Sequence, residues 1–122
     1  MKLIECVPNF SEGKNENFIN DIKLIVNSSD YVHLLDIDPG ADTNRTVLTF
    51  VGKPKNVIET AFNLIKYASK NIDMTTQKGE HPRMGATDVC PLIPLQNVTM
   101  NECIELSKKL GKRVWEELSI PV

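Results

Sequence analysis

The chain lacks a strong charge of either sign, a long apolar run and a paired set of cysteines. Its 14 basic and 16 acidic residues leave a net charge of −2, which gives no basic footprint for nucleic acid or an anionic membrane. No apolar run approaches the roughly 18 residues that a membrane helix needs. Three cysteines without a Cys-x-x-Cys pair favour reduced thiols, and Glu5 interrupts the apolar start that a signal peptide requires. We therefore expect a cytoplasmic protein with no nucleic-acid or membrane partner.

Apolar residues are numerous enough for one core. Leu, Ile, Val and Phe make up about 30% of the chain, well above the roughly 20% below which disorder is expected. The length of 122 residues suits a single domain. We therefore treat residues 1–122 as one domain.

Periodicity and turn residues predict a string of short elements. Pro8-Asn9 ends the first strand, Asp38-Pro39-Gly40 forms a turn, and residues 75–86 form a loop. Pro91 and Pro94 mark an edge strand or one that ends early. Thr99 and Glu102 match a helix capping box, and Ile120 looks like the start of a further strand. The predicted strands span residues 2–7, 31–38, 46–51 and 87–95, and the predicted helices span 15–28, 55–71 and about 100–119.

This order is that of an α/β sandwich of the α+β type. The first six elements give the ferredoxin-like βαββαβ topology, and a C-terminal helix follows. Such a two-layer sandwich carries its helices on one face of an antiparallel sheet. The other face is then open to a partner or to solvent.

Three stretches hold more polar residues than their turns require. Asn9, Ser11 and Glu12 precede a helix and could bind an anion or a carbonyl, or simply cap a turn. Residues 36–45 combine carboxylates, including that of Asp38, with Arg45, whose guanidinium can grip a carboxylate at two points. The same charges could instead pair with one another in a solvated loop.

The third stretch, residues 77–88, contains His81. Pro82 favours an extended conformation at His81, and an imidazole suits a general base near neutral pH. The alternative is a lone surface histidine. His33 lies in a predicted strand without polar neighbours and is interpreted as structural. His81, Asp88 and Cys90 match no zinc spacing, so we predict no metal site.

Six segments in collinear order resemble the formiminotransferase family, that is, glutamate formimidoyltransferase and the transferase part of formimidoyltransferase-cyclodeaminase. They are ECVPNFSEG at 5–13, TNRTV at 43–47, TFVG at 49–52, IDM at 72–74, KGEHPRMGA at 78–86 and DVCP at 88–91. Together they extend over nearly the whole chain. The resemblance is to the N-terminal subdomain of that family, whose α/β sandwich agrees with the predicted topology.

The resemblance implies transfer of a formimidoyl group from N-formimidoyl-L-glutamate to tetrahydrofolate, a step of histidine degradation and one-carbon metabolism. Tetrahydrofolate would be a co-substrate, and no metal is implied. His81 would be the catalytic base. The implied substrate-binding residues are Asn9, Asp38, Arg45, Glu80 and Arg83.

The family's transferase has two subdomains with folate in a groove between them, and this chain resembles the front part of the first. Two hypotheses follow. The chain carries the transferase chemistry together with a C-terminal subdomain or in a homo-oligomer, or it is a non-catalytic folate-binding or oligomerisation module. In either case the open sheet face offers a surface for a second copy.

Overall fold

The computed structural model describes residues 1–40, 42–72 and 86–120. The predicted loop at 75–86, except for Ala86, and the continuation of a predicted strand through 121–122 lie outside these residues. The elements are β1 (Leu3–Cys6), β2 (Asn9–Phe10), α1 (Glu16–Asn27), β3 (Val32–Gly40), β4 (Arg45–Gly52), α2 (Pro54–Asn71), β5 (Thr87–Val89), β6 (Leu92–Gln96) and α3 (Met100–Leu118).

All the strand pairs are antiparallel and join into one sheet. β4 pairs with β3 on one side and with β1 and β2 on the other. β1 also pairs with β6, and β2 with β5. Because β1 and β2 follow each other along one line of the sheet, as do β5 and β6, the described residues occupy four strand positions. Their order is that of a ferredoxin-like sheet, which confirms the predicted α+β fold with a C-terminal helix.

Prolines divide two of these four positions into short strands. Pro8 separates β1 from β2, and Pro91 separates β5 from β6, because proline has no N–H to donate to a ladder. Each break is still held by backbone bonds, since the Pro8 carbonyl accepts from Leu48 N at 3.0 Å and the Pro91 carbonyl from Val7 N at 3.2 Å. The first strand ends before Pro8, as predicted, but the sequence did not indicate that pairing with β4 resumes at Asn9 in β2.

The predicted turn at Asp38-Pro39-Gly40 was wrong. These residues extend β3 and pair with Val47, Thr46 and Arg45. β3 lies at the sheet edge, where a proline can turn its missing N–H towards solvent. The turn falls at residues 42–44 instead, and Asn44 adopts a left-handed conformation with φ of 51°.

The helices begin where capping residues allow. Asn15 caps α1 and accepts from Phe18 N at 3.1 Å. Thr99 caps α3 and accepts from Glu102 N at 3.1 Å, which confirms the predicted N-cap. Pro54 opens α2, a position where its missing N–H costs nothing.

The sheet has one covered face and one open face. In β4, Thr46, Leu48 and Phe50 are buried, whereas the alternate residues are half-buried. The buried set joins apolar side chains of all three helices in one core. We call the opposite surface the open face; it includes Arg45, Val47, Thr49 and Val51 of β4. No helix in the described part of the chain is long and apolar enough to cross a membrane.

Candidate functional site

Three of the predicted site residues lie on the open face at one end of the sheet. Asp38 of β3 and Asn9 of β2 both pair with Val47 of β4, from opposite sides. Directly paired residues point to the same face, and neighbouring strands lie about 4.8 Å apart. The backbones of Asp38 and Asn9 are therefore about 10 Å apart, with Val47 between them.

Arg45 joins this group from the start of β4. Its Nη2 donates to Asn9 Oδ1 at 3.3 Å, and Asn9 Nδ2 donates to the Val7 carbonyl at 3.2 Å. Arg45 pairs with Gly40, two residues beyond Asp38 on the same strand. The sheet thus holds an amide, a guanidinium and an exposed carboxylate together, although the sequence separates them by up to 36 positions.

Backbone contacts fix the end of the sheet that carries these side chains. Asn44 Oδ1 accepts from Gly13 N at 2.9 Å, and Thr46 Oγ1 donates to the Glu12 carbonyl at 2.6 Å. Both Asn44 and Thr46 are buried. Asn44 belongs to the polar stretch at residues 36–45. In the structure it connects the β3–β4 turn to the segment before α1. The sequence alone does not indicate this structural role, because an Asn next to an Arg in a turn is equally typical of a binding residue.

Of the two interpretations of residues 9–12, ligand binding or a capped turn, the structure shows the capped turn for Glu12. Its Oε2 accepts from Lys14 N at 3.0 Å and Asn15 N at 3.1 Å. These bonds satisfy backbone donors that precede α1. Ser11 is buried, and its N–H donates to the Ala86 carbonyl at 2.9 Å.

Glu80, His81 and Arg83 lie outside the described residues, so their predicted roles stay predictions. The described chain resumes at Ala86, bonded to Ser11, and β5 then pairs with β2. His33 is exposed on β3 and pairs with Val51 at the opposite end of β4 from Arg45. Within residues 1–40, 42–72 and 86–120, no three His, Cys, Asp or Glu side chains are placed to share a metal ion.

The fold and this group define an α+β, ferredoxin-like domain with polar side chains gathered on the open face of its sheet. The model of the formiminotransferase domain, N-terminal subdomain, matches residues 3–122. The chain belongs to this family.

The relatives support the same assignment. The chain is 54% identical over 121 residues to a formimidoyltransferase-cyclodeaminase of Dictyostelium discoideum, covering 99% of this chain and 22% of the relative. It is 50% identical to a glutamate formimidoyltransferase of Streptococcus pyogenes serotype M1, covering 99% of this chain and 40% of the relative. A glutamate formimidoyltransferase of Thermoplasma acidophilum is 48% identical, with 100% and 40% covered. The chain thus spans less than half the length of these relatives.

Proposed function

We propose that this chain takes part in the transfer of a formimidoyl group from N-formimidoyl-L-glutamate to tetrahydrofolate, with His81 as the general base. The observation that carries the proposal is the family match over residues 3–122. Relatives about 50% identical over the same length are named glutamate formimidoyltransferases.

The reaction exchanges one carbon–nitrogen bond for another. A secondary amine of tetrahydrofolate attacks the formimidoyl carbon and must lose its proton. His81 takes that proton and returns it to the glutamate nitrogen as the old bond breaks. One imidazole can therefore act first as base and then as acid, which suits its ordinary pKa near neutrality.

The binding roles follow from charge. The donor's amidine is cationic, which suits the Asp38 carboxylate, and its glutamate carboxylates suit the guanidinium groups of Arg45 and Arg83. Asn9 lies within hydrogen-bond distance of Arg45 and so positions it. Glu80 or Asp38 would orient the imidazole of His81 and stabilise its charged form.

The length of chain between His81 and the described sheet supports this grouping. His81 precedes Ala86 by five residues, and Ala86 bonds to Ser11, two residues after Asn9. Five residues span at most about 18 Å. This length of chain is short enough to allow position 81 to approach the end of the sheet that carries Asn9.

Replacing His81 tests the role of the base. We expect His81→Ala to lower kcat by about 100-fold or more, because general acid–base catalysis contributes 10²–10⁴-fold. The measurement is formimidoyl transfer by this chain or by a longer protein that contains it. His33→Ala is the matched control, since His33 is exposed at the far end of the sheet. Undiminished turnover in His81→Ala would remove His81 from the mechanism.

The second candidate is a non-catalytic folate-binding or oligomerisation module. It is favoured by the open face of the sheet, on which the apolar side chains of Val89 and Ile93 are exposed. Calorimetric titration of tetrahydrofolate into the chain, together with the formimidoyl-transfer assay, distinguishes three outcomes. Binding with turnover supports the transferase, binding without turnover supports the module, and no binding leaves oligomerisation as the function of this chain alone.

A further inference from the structure

Two of the three cysteines meet at the breaks in the sheet. Cys6 Sγ and Cys90 Sγ are 3.5 Å apart, although 84 positions separate them in sequence. Cys6 ends β1 and is fully buried, whereas Cys90 lies between β5 and β6 and is only partly buried. The third, Cys103, is buried in α3.

The fold itself brings the two sulfurs together. Cys6 pairs with Leu92, the residue that follows Pro91, and Val7 N donates to the Pro91 carbonyl. These backbone bonds fix β1 beside the segment that carries Cys90. The sulfurs need to approach by only about 1.5 Å to reach the disulfide bond length of about 2.05 Å.

The two thiols differ in their readiness to react. The hydrogen bond with Cys90, followed by burial, raises the pKa of the Cys6 thiol well above its ordinary value. Since the thiolate is the nucleophile, Cys6 reacts slowly with a dissolved oxidant. Cys90 is the more exposed of the two residues, so we expect it to meet the oxidant first.

We propose that Cys6 and Cys90 form a reversible intramolecular disulfide when the protein meets a peroxide. The Cys90 thiolate attacks one peroxide oxygen and becomes a sulfenic acid, releasing hydroxide, which takes up a proton to form water. Cys6 then attacks the Cys90 sulfur, and its proton leaves with the hydroxyl as a second water. Two thiols and one hydrogen peroxide thus give one disulfide and two waters, and a dithiol reductant reverses the change.

The cross-link would fasten β1 to the connection between β5 and β6. Both anchor points adjoin the part of the sheet that holds Asn9, since Val89 pairs with Asn9 directly before Cys90. The bond would close a long loop, across the 84 positions between the two cysteines. Loops of that length restrict the unfolded chain strongly, so we expect the Tm to rise by roughly 10 °C. This inference does not depend on the proposed transferase function.

The test is treatment of the chain with hydrogen peroxide, followed by intact mass measurement without reductant. We expect a loss of about 2 Da per molecule and one remaining maleimide-reactive thiol after unfolding. Peptide mapping should join the peptide of Cys6 to that of Cys90. Dithiothreitol should restore three thiols and the original Tm.

Three variants complete the test. Cys90→Ser and Cys6→Ala should each abolish the mass loss, and Cys103→Ser, the matched control, should retain it. The wild-type result stands even if a variant fails to fold. Three free thiols after peroxide, a disulfide to Cys103, a disulfide only between molecules, or sulfinic acid at Cys90 without a cross-link would each overturn the proposal.

Discussion

Gly13 occupies a position where the backbone of one segment touches that of another. A Cβ at this residue would lie 2.6 Å from Arg45 N and closer still to the Gly40 carbonyl oxygen. Its N–H also donates to Asn44. The residue is therefore held between the end of β3 and the start of β4, beside the candidate site.

We expect Gly13→Ala to lower the free energy of unfolding by about 1–3 kcal/mol, because backbone atoms must move to admit the methyl group. Urea denaturation measures the change. Gly111→Ala is the opposing control, since Gly111 lies within α3, where alanine is favoured over glycine by about 1 kcal/mol. Equal stability of Gly13→Ala and the wild type would contradict the close packing.

For individual residues, the sequence indicated which polar side chains belong to the candidate site region, but it did not distinguish those on the open face from those with a structural role. Asn9 and Asn44 both stood in polar stretches, yet Asn9 faces the open surface and Asn44 is buried. The face on which a side chain lies depends on strand register. Register is set by pairing between distant segments, which local composition does not contain.

The capping of α3 shows an element that its own sequence specifies. Thr99 Oγ1 accepts from Glu102 N, and the helix begins at Met100. Glu102 lies in the first turn, where a carboxylate also favours the helix dipole. The start of this helix was therefore predictable from four adjacent residues.

Removing the cap should destabilise the protein measurably. We expect Thr99→Ala to cost about 1 kcal/mol, because one N–H of the first turn loses its acceptor. Thermal or urea unfolding checks this value. Asn101→Ala, an exposed neighbour in the same turn, should change stability by less than about 0.5 kcal/mol.

The packing of α2 against α3 depends in part on charge. The Arg113 guanidinium binds the Glu59 carboxylate, with Nη1 2.5 Å from Oε2, and covers the Phe62 ring with Cζ 3.7 Å from the centroid. The hydrogen bonds from Arg113 hold the pKa of Glu59 below its usual range. A lowered carboxyl pKa stabilises the fold above the ordinary pKa, and this contribution disappears as the pH falls through the lowered one.

We expect Glu59→Gln to reduce stability at pH 7 by no more than about 1 kcal/mol, since the Glu59 side chain is more than half exposed to solvent. The difference from the wild type should vanish in acid below the lowered pKa, where Glu59 is protonated. Urea unfolding across the acid range measures this convergence. Glu116→Gln is the control, because Glu116 pairs only with Lys112 among the ion pairs described and does not join the two helices. A difference that persists undiminished in acid would exclude the ionic contribution.

Element boundaries were less predictable where proline was involved. Pro8, Pro39 and Pro91 each suggested an end. β1 does end before Pro8, but a second strand pairs with β4 directly after it, and β3 runs through Pro39. A proline ends pairing only if its nitrogen faces a partner strand. That depends on its position in the finished sheet, which periodicity along the chain does not show.

In the molecule as a whole, the open face of the sheet is the surface best suited to contact another protein domain or a second copy. It carries the candidate site at one end, and Val89 and Ile93 add exposed apolar surface along its edge. The relatives are longer than this chain. A second copy or a further subdomain could cover this surface.

We expect the isolated chain to form dimers or larger species in solution through the open face. Light scattering measures the mass, and Ile93→Glu should shift it towards the monomer because a buried carboxylate is costly. Leu24→Glu is the matched control, since Leu24 is exposed on α1 in the other layer. A wild-type monomer across the concentration range would contradict association through the sheet.

The sequence by itself determined the fold class, the helices, the Thr99 cap and the family, because periodicity, capping residues and contiguous motifs are local properties of the chain. Only the tertiary structure decided that Asn9, Asp38 and Arg45 share one face, that Asn44 is structural, and that Cys6 meets Cys90. Each of these facts depends on the pairing of segments far apart in sequence, which is fixed when the core is buried and the sheet register is set.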